Sequence, residues 1–181
     1  VNNLPIHVKI DTGMHRLGFA PADMPRLIER LHTQRAVIVR SVFSHFVGSD
    51  SPQFDAFSRE QIALFEQASS ALQAACPHKI LRHICNTAGI ERFPEAHYDM
   101  VRLGLGLYGI SPIDNAILHN VSTLKTTILQ IRDIASADTV GYSRKGVLKR
   151  PSRIAALPIG YADGLNRHLG NGGAYCLVNG Q

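Results

Sequence analysis

IHVKIDTGMHRLGF, residues 6–19, joins an alternating apolar and polar run to a turn that contains an arginine. The first five residues alternate as a half-buried strand does, and Pro21 opens a helical pattern soon afterwards. We therefore predict a strand at residues 6–10 whose carboxyl end leads into the turn. An ordinary surface turn has the same composition, so the rest of the chain must show whether Arg16 faces a site.

The alternation of strand and helix continues as far as residue 112. Apolar runs predict strands at residues 6–10, 36–43, 80–85 and 101–108, and helices are predicted at residues 21–31, 52–76 and 94–98. Such alternation indicates parallel strands with crossover helices. A doubly wound sheet and a TIM barrel both carry their chemistry at the carboxyl ends of the strands. Four units amount to half of an eight-stranded barrel.

The pattern changes after Pro112. Short β segments are predicted at residues 121–135, 140–143, 154–159 and 174–178, with no helical periodicity between them. We therefore predict an α/β domain at residues 1–115, the C-terminal half of a TIM (β/α)8 barrel, and the start of an all-β domain at residues 116–181.

The composition is that of a globular protein and excludes several classes of function. The chain is 45% hydrophobic and 18% charged, and no apolar run is long enough to cross a bilayer. The net charge is +5, but its densest part, residues 144–153, has no aromatic residue on which bases would stack, so nucleic acid is not expected. Three scattered cysteines are typical of a reduced, cytoplasmic protein. No metal site is predicted, since His83 and Cys85 lack further ligands.

Polar groups follow the predicted strands where a site is expected. Arg16, His45 and Asn86-Thr87 come at or after strand ends, and Arg102 precedes Gly104 in the fourth predicted strand. If the strands are adjacent, these groups converge. The Thr87 hydroxyl and nearby backbone amides would suit a phosphate, and glycine at 104 would let an amide approach it.

Each of these residues also has a purely structural interpretation. Arg102 is equally explained by a salt bridge to a carboxylate such as Asp11 or Asp99. A lone histidine such as His45 is more often a core residue whose hydrogen bonds are satisfied. Lys9 is typical of a side chain that reaches along an apolar surface, and Tyr142 and Tyr161 of half-buried packing residues.

Six stretches taken together resemble the alanine racemase family, in the family's order and with its spacing. They are VKIDTGMHRLGF at 8–19, FSHF at 43–46, HICNTAGIERFP at 83–94, MVRLGLGLYG at 100–109, VGYS at 140–143 and PIGYADG at 158–164. The resemblance implies a TIM barrel followed by a β domain. It also implies a homodimer that uses pyridoxal 5′-phosphate to interconvert L- and D-alanine, the latter for peptidoglycan.

The resemblance gives roles to the candidate residues of the barrel. Arg16 resembles the arginine that binds the cofactor's phenolic oxygen and the substrate carboxylate, and Lys9 resembles the lysine that is carbamylated in many members and bridges to it. Arg102 resembles the arginine that donates to the pyridine nitrogen. Thr87 and the amides of Gly104-Leu105 resemble the phosphate clamp.

The remaining roles concern proton transfer and the substrate. Tyr142 resembles a catalytic base that the β domain of the partner subunit supplies, and His45 resembles the histidine that links this tyrosine to Arg102. Tyr161 resembles a tyrosine at the substrate entrance. The arrangement implies a two-base racemisation with the active site shared between subunits.

One expected residue has no counterpart. The Schiff-base lysine belongs to an early family motif that nothing here matches, so we expect an internal fragment that does not racemise alanine alone. Three alternatives stay open: a broad-specificity amino-acid racemase of the same family, a non-catalytic pyridoxal phosphate-binding barrel protein, and a fusion to a cell-wall ligase. Single-domain barrel proteins of the second kind have no β domain, which argues against them.

Overall fold

The computed structural model describes residues 2–170 and 172–181. The chain divides into two compact units, Val1–Ser122 and Thr123–Gln181.

The first unit is built on a parallel sheet of three strands. β1 (Leu4–Lys9), β2 (Val37–Phe43) and β3 (Leu81–His83) lie in that order, with His7 beside Ser41 and Phe43 beside His83. Parallel neighbours need crossover connections, and helices α1 (Met24–His32) and α2 (Asp55–Ala75) supply them. The first three predicted strands, their parallel direction and both long helices are therefore confirmed.

Helix α2 packs on the sheet through one stripe of residues. Gln61, Phe65, Ala68 and Leu72 recur at helical spacing and are buried. With the sheet residues they form a core that includes Val8, Ile10, Val39, Val42 and Ile84. Gln61 is polar yet fully buried on this stripe, so it requires hydrogen-bond partners inside the unit.

The predicted fourth strand is wrong. Residues 101–103 have no regular structure and Leu105–Tyr108 is a 3-10 turn, although Asp99 and Arg102 donate backbone hydrogen bonds to β3 and the residues after it, at Arg82 O and Cys85 O. The segment therefore runs alongside β3 without forming a ladder. Its two glycines weaken a strand, and the amides of both bond to a side chain instead of a neighbouring strand.

A short helix follows β3. α3 (Thr87–Arg92) begins at Asn86, whose Oδ1 accepts a hydrogen bond from Gly89 N at 2.9 Å. The helix predicted at residues 94–98 is a 3-10 turn, Pro94–Ala96. Both features place Thr87 at a helix start beside the end of β3.

The second unit contains only short strands and 3-10 turns among its described residues. β4 (Gln130–Ile134) pairs antiparallel with β7 (Ser152–Ala156), and β5 (Thr139–Val140) pairs with β6 (Gly146–Val147). Residues 121–135 were predicted as one long strand or a bent pair, but only β4 is a strand there, and the strand predicted at 174–178 is absent. Tyr175 and Leu177 are 94% and 79% exposed, so apolar residues there have no described surface to pack against.

Candidate functional site

The turn after β1 is held closed by one carboxylate. Oδ1 of Asp11 accepts hydrogen bonds from the amides of Gly13, Met14 and His15 at 2.9–3.0 Å. Burial raises the pKa of Asp11, but these amide bonds outweigh it and the net pKa is lowered. Gly13 has φ +130° and lies against Phe57, where a Cβ would approach a ring atom within 2.7 Å, so only glycine fits.

The same turn positions two cations differently. Lys9 donates from Nζ to Leu17 O at 2.9 Å, whereas Arg16 is exposed and forms no hydrogen bond with the described residues. Both cations are nevertheless close enough to lower the pKa of His45. The turn therefore presents Arg16 while it anchors Lys9.

The Arg102 guanidinium is surrounded by neutral acceptors. Nη2 donates to Ser44 O at 2.6 Å and to His45 Nδ1 and Ile84 O at 3.0 Å. Nη1 donates to Nδ1 and, at 3.3 Å, to the carbonyl of His83. No carboxylate pairs with Arg102 in the part of the chain that the structure describes.

The alternative of a salt bridge between Arg102 and Asp11 or Asp99 is therefore wrong. Asp11 is occupied by the turn amides, and Asp99 pairs with Lys79 at 2.6 Å. A buried cation without a counter-charge is costly unless its hydrogen bonds are satisfied. The carbonyls and imidazoles provide those bonds and leave the positive charge available to a ligand.

Both imidazoles beside Arg102 are kept neutral. Burial lowers the pKa of His45, and the charges of Arg102, Arg16 and Lys9 lower it further. Burial and then the Arg102 charge lower the pKa of His83 to about 4. Because Arg102 only donates, Nδ1 of each ring accepts and the ring proton lies on Nε2.

His45 lies in the loop after β2, two residues beyond the strand end. It is partly buried, and its carbonyl accepts a hydrogen bond from Gln61 Nε2 at 3.0 Å. Gln61 also donates to Thr12 Oγ1 and accepts from Val47 N. The Gln61 side chain on α2 therefore fixes the loop that contains His45.

Thr87 receives two amides of the segment that follows Arg102. Its Oγ1 accepts from Gly104 N at 3.0 Å and from Gly106 N at 3.1 Å. A hydroxyl has two acceptor positions and one donor proton, so Thr87 can only donate to a ligand. Leu105 N has no acceptor within the described residues.

The glycine that packing requires is Gly106 rather than Gly104. A Cβ at Gly106 would meet Leu103 Cδ1 at 2.6 Å and Thr87 Cγ2 at 3.0 Å, but one at Gly104 would meet only Thr87 Oγ1 at 3.6 Å.

The two tyrosines lie in the second unit. Tyr142 is 92% exposed and begins the 3-10 turn Tyr142–Arg144, and Tyr161 is 67% exposed and begins the turn Tyr161–Asp163. Both are therefore more exposed than half-buried packing residues. Arg167 lies over the Tyr161 ring at 5.6 Å.

Sequence reasoning missed three residues that hold the site: Ser41, Gln61 and His83. The signal for Gln61 was its place on the apolar stripe of α2, at helical spacing from Phe65 and Leu72. His83 was considered only as a metal ligand, and no group of three metal-ligating side chains occurs among residues 2–170 and 172–181. In that same part of the chain, no helix has the length and apolarity needed to cross a membrane.

Comparison with known proteins agrees with the geometry. The model of the alanine racemase N-terminal domain matches residues 1–112, and that of the C-terminal domain matches residues 121–181. The chain belongs to the alanine racemase family. Alanine racemase 2 of Caldanaerobacter subterraneus subsp. tengcongensis is 41% identical over 171 residues, which cover 92% of this chain and 44% of that racemase.

Solved alanine racemases have the same fold. The enzyme from D-cycloserine-producing Streptomyces lavendulae matches with a TM-score of 0.86 at 29% identity, over 99% of this chain and 49% of its own. The alanine racemase of Bartonella henselae, which was solved with covalently bound pyridoxal phosphate, matches with a TM-score of 0.72 at 28% identity, over 91% of this chain and 45% of its own. The chain thus spans about half the length of the alanine racemases it matches.

Proposed function

We propose that the whole protein is a pyridoxal 5′-phosphate-dependent alanine racemase that interconverts L- and D-alanine, and that this chain supplies much of its cofactor site. The observation that carries the proposal is the Arg102 cation held only by neutral acceptors, two residues from the amide that Thr87 binds. Because the chain belongs to the alanine racemase family, we interpret that arrangement as part of a pyridoxal phosphate site.

The donor set fits this cofactor. A phosphate needs N–H and O–H donors, and the Thr87 hydroxyl and Leu105 N offer them without a carboxylate nearby in the hydrogen-bond network. A pyridine nitrogen needs one donor, and Arg102 is a cation that no carboxylate among the described residues pairs with. When bound, pyridoxal phosphate withdraws electrons from the substrate Cα and makes its proton acidic.

Arg102 would hold the pyridine nitrogen without protonating it. A guanidinium does not give up its proton near neutral pH, so the nitrogen stays unprotonated and withdraws electrons only weakly. Weak withdrawal favours removal and return of one proton over transamination. Because no carboxylate among the described residues pairs with Arg102, its charge would stay available to this ligand.

His45 would connect Arg102 to a catalytic tyrosine. Its Nδ1 accepts from Arg102 at 3.0 Å, so Nε2 carries the proton and can donate to a phenolate. We assign that phenolate to Tyr142 of the partner subunit in a homodimer, with the Schiff-base lysine as the second base. A tyrosine's ordinary pKa is about 10, so a donated hydrogen bond from His45 helps it to act near neutral pH.

Substrate contacts and cellular role complete the proposal. Arg16 would bind the substrate carboxylate and the cofactor's phenolic oxygen, Lys9 is a candidate for carbamylation, and Tyr161 would line the substrate entrance. Residues 1–115 would form the C-terminal half of the barrel and residues 116–181 the start of the β domain. The enzyme would act in the cytoplasm and supply D-alanine for peptidoglycan.

The experiment follows D-alanine formation from L-alanine by the whole protein with pyridoxal phosphate. We expect turnover, and a loss of at least about 100-fold in kcat/KM in Arg102→Leu, the scale seen when one preorganised charge contact is removed. Arg40→Leu, an exposed arginine on β2, is the matched control and should be unchanged. No racemisation, or equal rates in both variants, contradicts the proposal; comparable kcat/KM with larger amino acids would make the substrate range broad.

A further inference from the structure

A chain of hydrogen bonds leads from Arg102 across all three strands of the sheet. Arg102 Nη1 contacts Nδ1 of His83 on β3, His83 Nε2 lies 3.3 Å from Ser41 Oγ on β2, and Ser41 Oγ lies 2.6 Å from Nδ1 of His7 on β1. The register of the sheet places His7 beside Ser41. The proposed function above gives no role to His83, Ser41 or His7.

The direction of each hydrogen bond follows from Arg102. A guanidinium has only donors, so Nδ1 of His83 must be the unprotonated nitrogen of a neutral ring. The proton of His83 then lies on Nε2 and is donated to Ser41 Oγ. The Ser41 hydroxyl keeps its own proton, which it donates to His7 Nδ1 when that nitrogen is unprotonated.

The surroundings of His83 disfavour every other state. His83 is 5% exposed and Ser41 is 1% exposed, so neither group exchanges its partner for solvent. The His83 ring stacks on Phe43 with centroids 5.2 Å apart and planes 4° apart, and Arg102 lies 5.5 Å over the same Phe43 ring. A protonated His83 would place a second cation against Arg102 in a buried position.

We propose that His83 is a positioning residue for Arg102 and that Ser41, by accepting the Nε2 proton, supports the His83 tautomer which makes this possible. The inference rests on the proposed function, because it concerns how Arg102 is presented to the cofactor. The observed bonds occupy Nη1 and Nη2 and leave Nε–H without an acceptor among the described residues. His83 thereby fixes the edge of the guanidinium that a ligand does not use.

Cofactor affinity measures this positioning. Pyridoxal phosphate is titrated into the whole apo-protein and binding is followed by visible absorbance. We expect His83→Leu to weaken binding about 10- to 100-fold, the range for a lost hydrogen bond to a charged group. His83→Gln should stay within about threefold, because its Oε1 can accept from Arg102 and its amide can donate to Ser41.

The serine is tested with a matched pair. Ser41→Ala should weaken binding about 3- to 10-fold, the range of one neutral hydrogen bond. Ser69→Ala removes an equally buried hydroxyl on α2, outside this chain of bonds, and should leave binding unchanged. Equal affinities in wild type and His83→Leu, or equal losses in both serine variants, overturn the inference.

The tautomer is measured in the wild-type protein, and a variant is needed only to assign the signals. In the whole protein labelled with ¹⁵N-histidine, the His83 signals are assigned by their loss in His83→Gln. We expect an unprotonated Nδ1 and a protonated Nε2, and a protonated Nδ1 overturns the inference. This measurement does not need the cofactor, so it remains decisive if the whole protein binds no pyridoxal phosphate and the proposed function itself fails.

Discussion

The two units differ in what holds their functional side chains. In the first unit, Arg102 donates to five acceptors, and residues such as Val8, Val42 and Phe65 form a buried core. In the second unit, none of the described residues is buried, and Tyr142 is 92% exposed. The orientation of Arg102 is therefore a property of this chain, whereas that of Tyr142 must come from whatever contacts the second unit in the whole protein.

The largest expected effect concerns the exposed side chain. In the whole protein, Tyr142→Phe should reduce Cα proton exchange from one antipode of alanine about 100- to 10 000-fold, the range for loss of a general acid–base group. Exchange from the other antipode should fall less, and the cofactor should stay bound. Deuterium wash-in from each antipode measures both. Unchanged exchange from both would remove Tyr142 from the mechanism.

The next effect concerns the support beneath His45. Gln61→Leu should lower the free energy of unfolding by about 2–4 kcal/mol, because Val47 N and His45 O lose their partner in a buried place. Urea unfolding measures the change. Gln67→Leu on the exposed face of α2 is the control, with an expected change below about 0.5 kcal/mol. Equal changes would mean that the buried amide does not hold the loop.

Acid should destabilise the first unit through His83. The folded pKa of His83 is lowered to about 4 from 6.5, so the unfolded state binds more protons between these values. The stabilisation is therefore complete above pH 6.5 and is lost as the pH falls towards 4, by about 2 kcal/mol between pH 7.5 and 5. Unfolding of wild type and His83→Gln at both pH values tests this. The variant should show a correspondingly shallower loss, and equal slopes would contradict the neutral His83.

The smallest expected effect is the loss of stability when one ion pair is removed from each unit. Asp133 and Arg153 in the second unit are 74% and 72% exposed, so Asp133→Asn should leave the unfolding midpoint unchanged within error. Asp55→Asn in the first unit should cost about 1 kcal/mol, because its partner Arg92 is only 16% exposed. A larger loss for Asp133→Asn would show that the second unit is more cooperative than its burial indicates.

The parts of the first unit that follow from local periodicity were predictable. The alternation at residues 6–10 and the stripe on α2 specified β1 and α2, because burial of one face needs only neighbours in the same unit. The prediction of a fourth strand was wrong. The apolar residues at 101–108 suit a strand, but the amides of Gly104 and Gly106 bond to Thr87 instead of a neighbouring strand. That long-range bond has no signature in the local pattern.

The sequence predicted which residues form the candidate site, but not which groups hydrogen-bond to Arg102 and hold it in place. The family motifs singled out Arg102, His45 and Thr87, and the structure brings these three into one connected region of the first unit. The neutral acceptors around Arg102 come from residues far apart in the chain, including the Ser44 carbonyl and the His83 ring. No spacing rule predicts that a buried arginine will be satisfied without a carboxylate.

A crystal structure of the whole protein with pyridoxal phosphate tests the central claim most directly. We predict that the pyridine nitrogen accepts a hydrogen bond from Arg102, that the phosphate accepts from the Thr87 hydroxyl and Leu105 N, and that no carboxylate contacts Arg102. Cofactor bound away from Arg102, or an Arg102 that pairs with an aspartate or glutamate in the complete protein, would contradict the account.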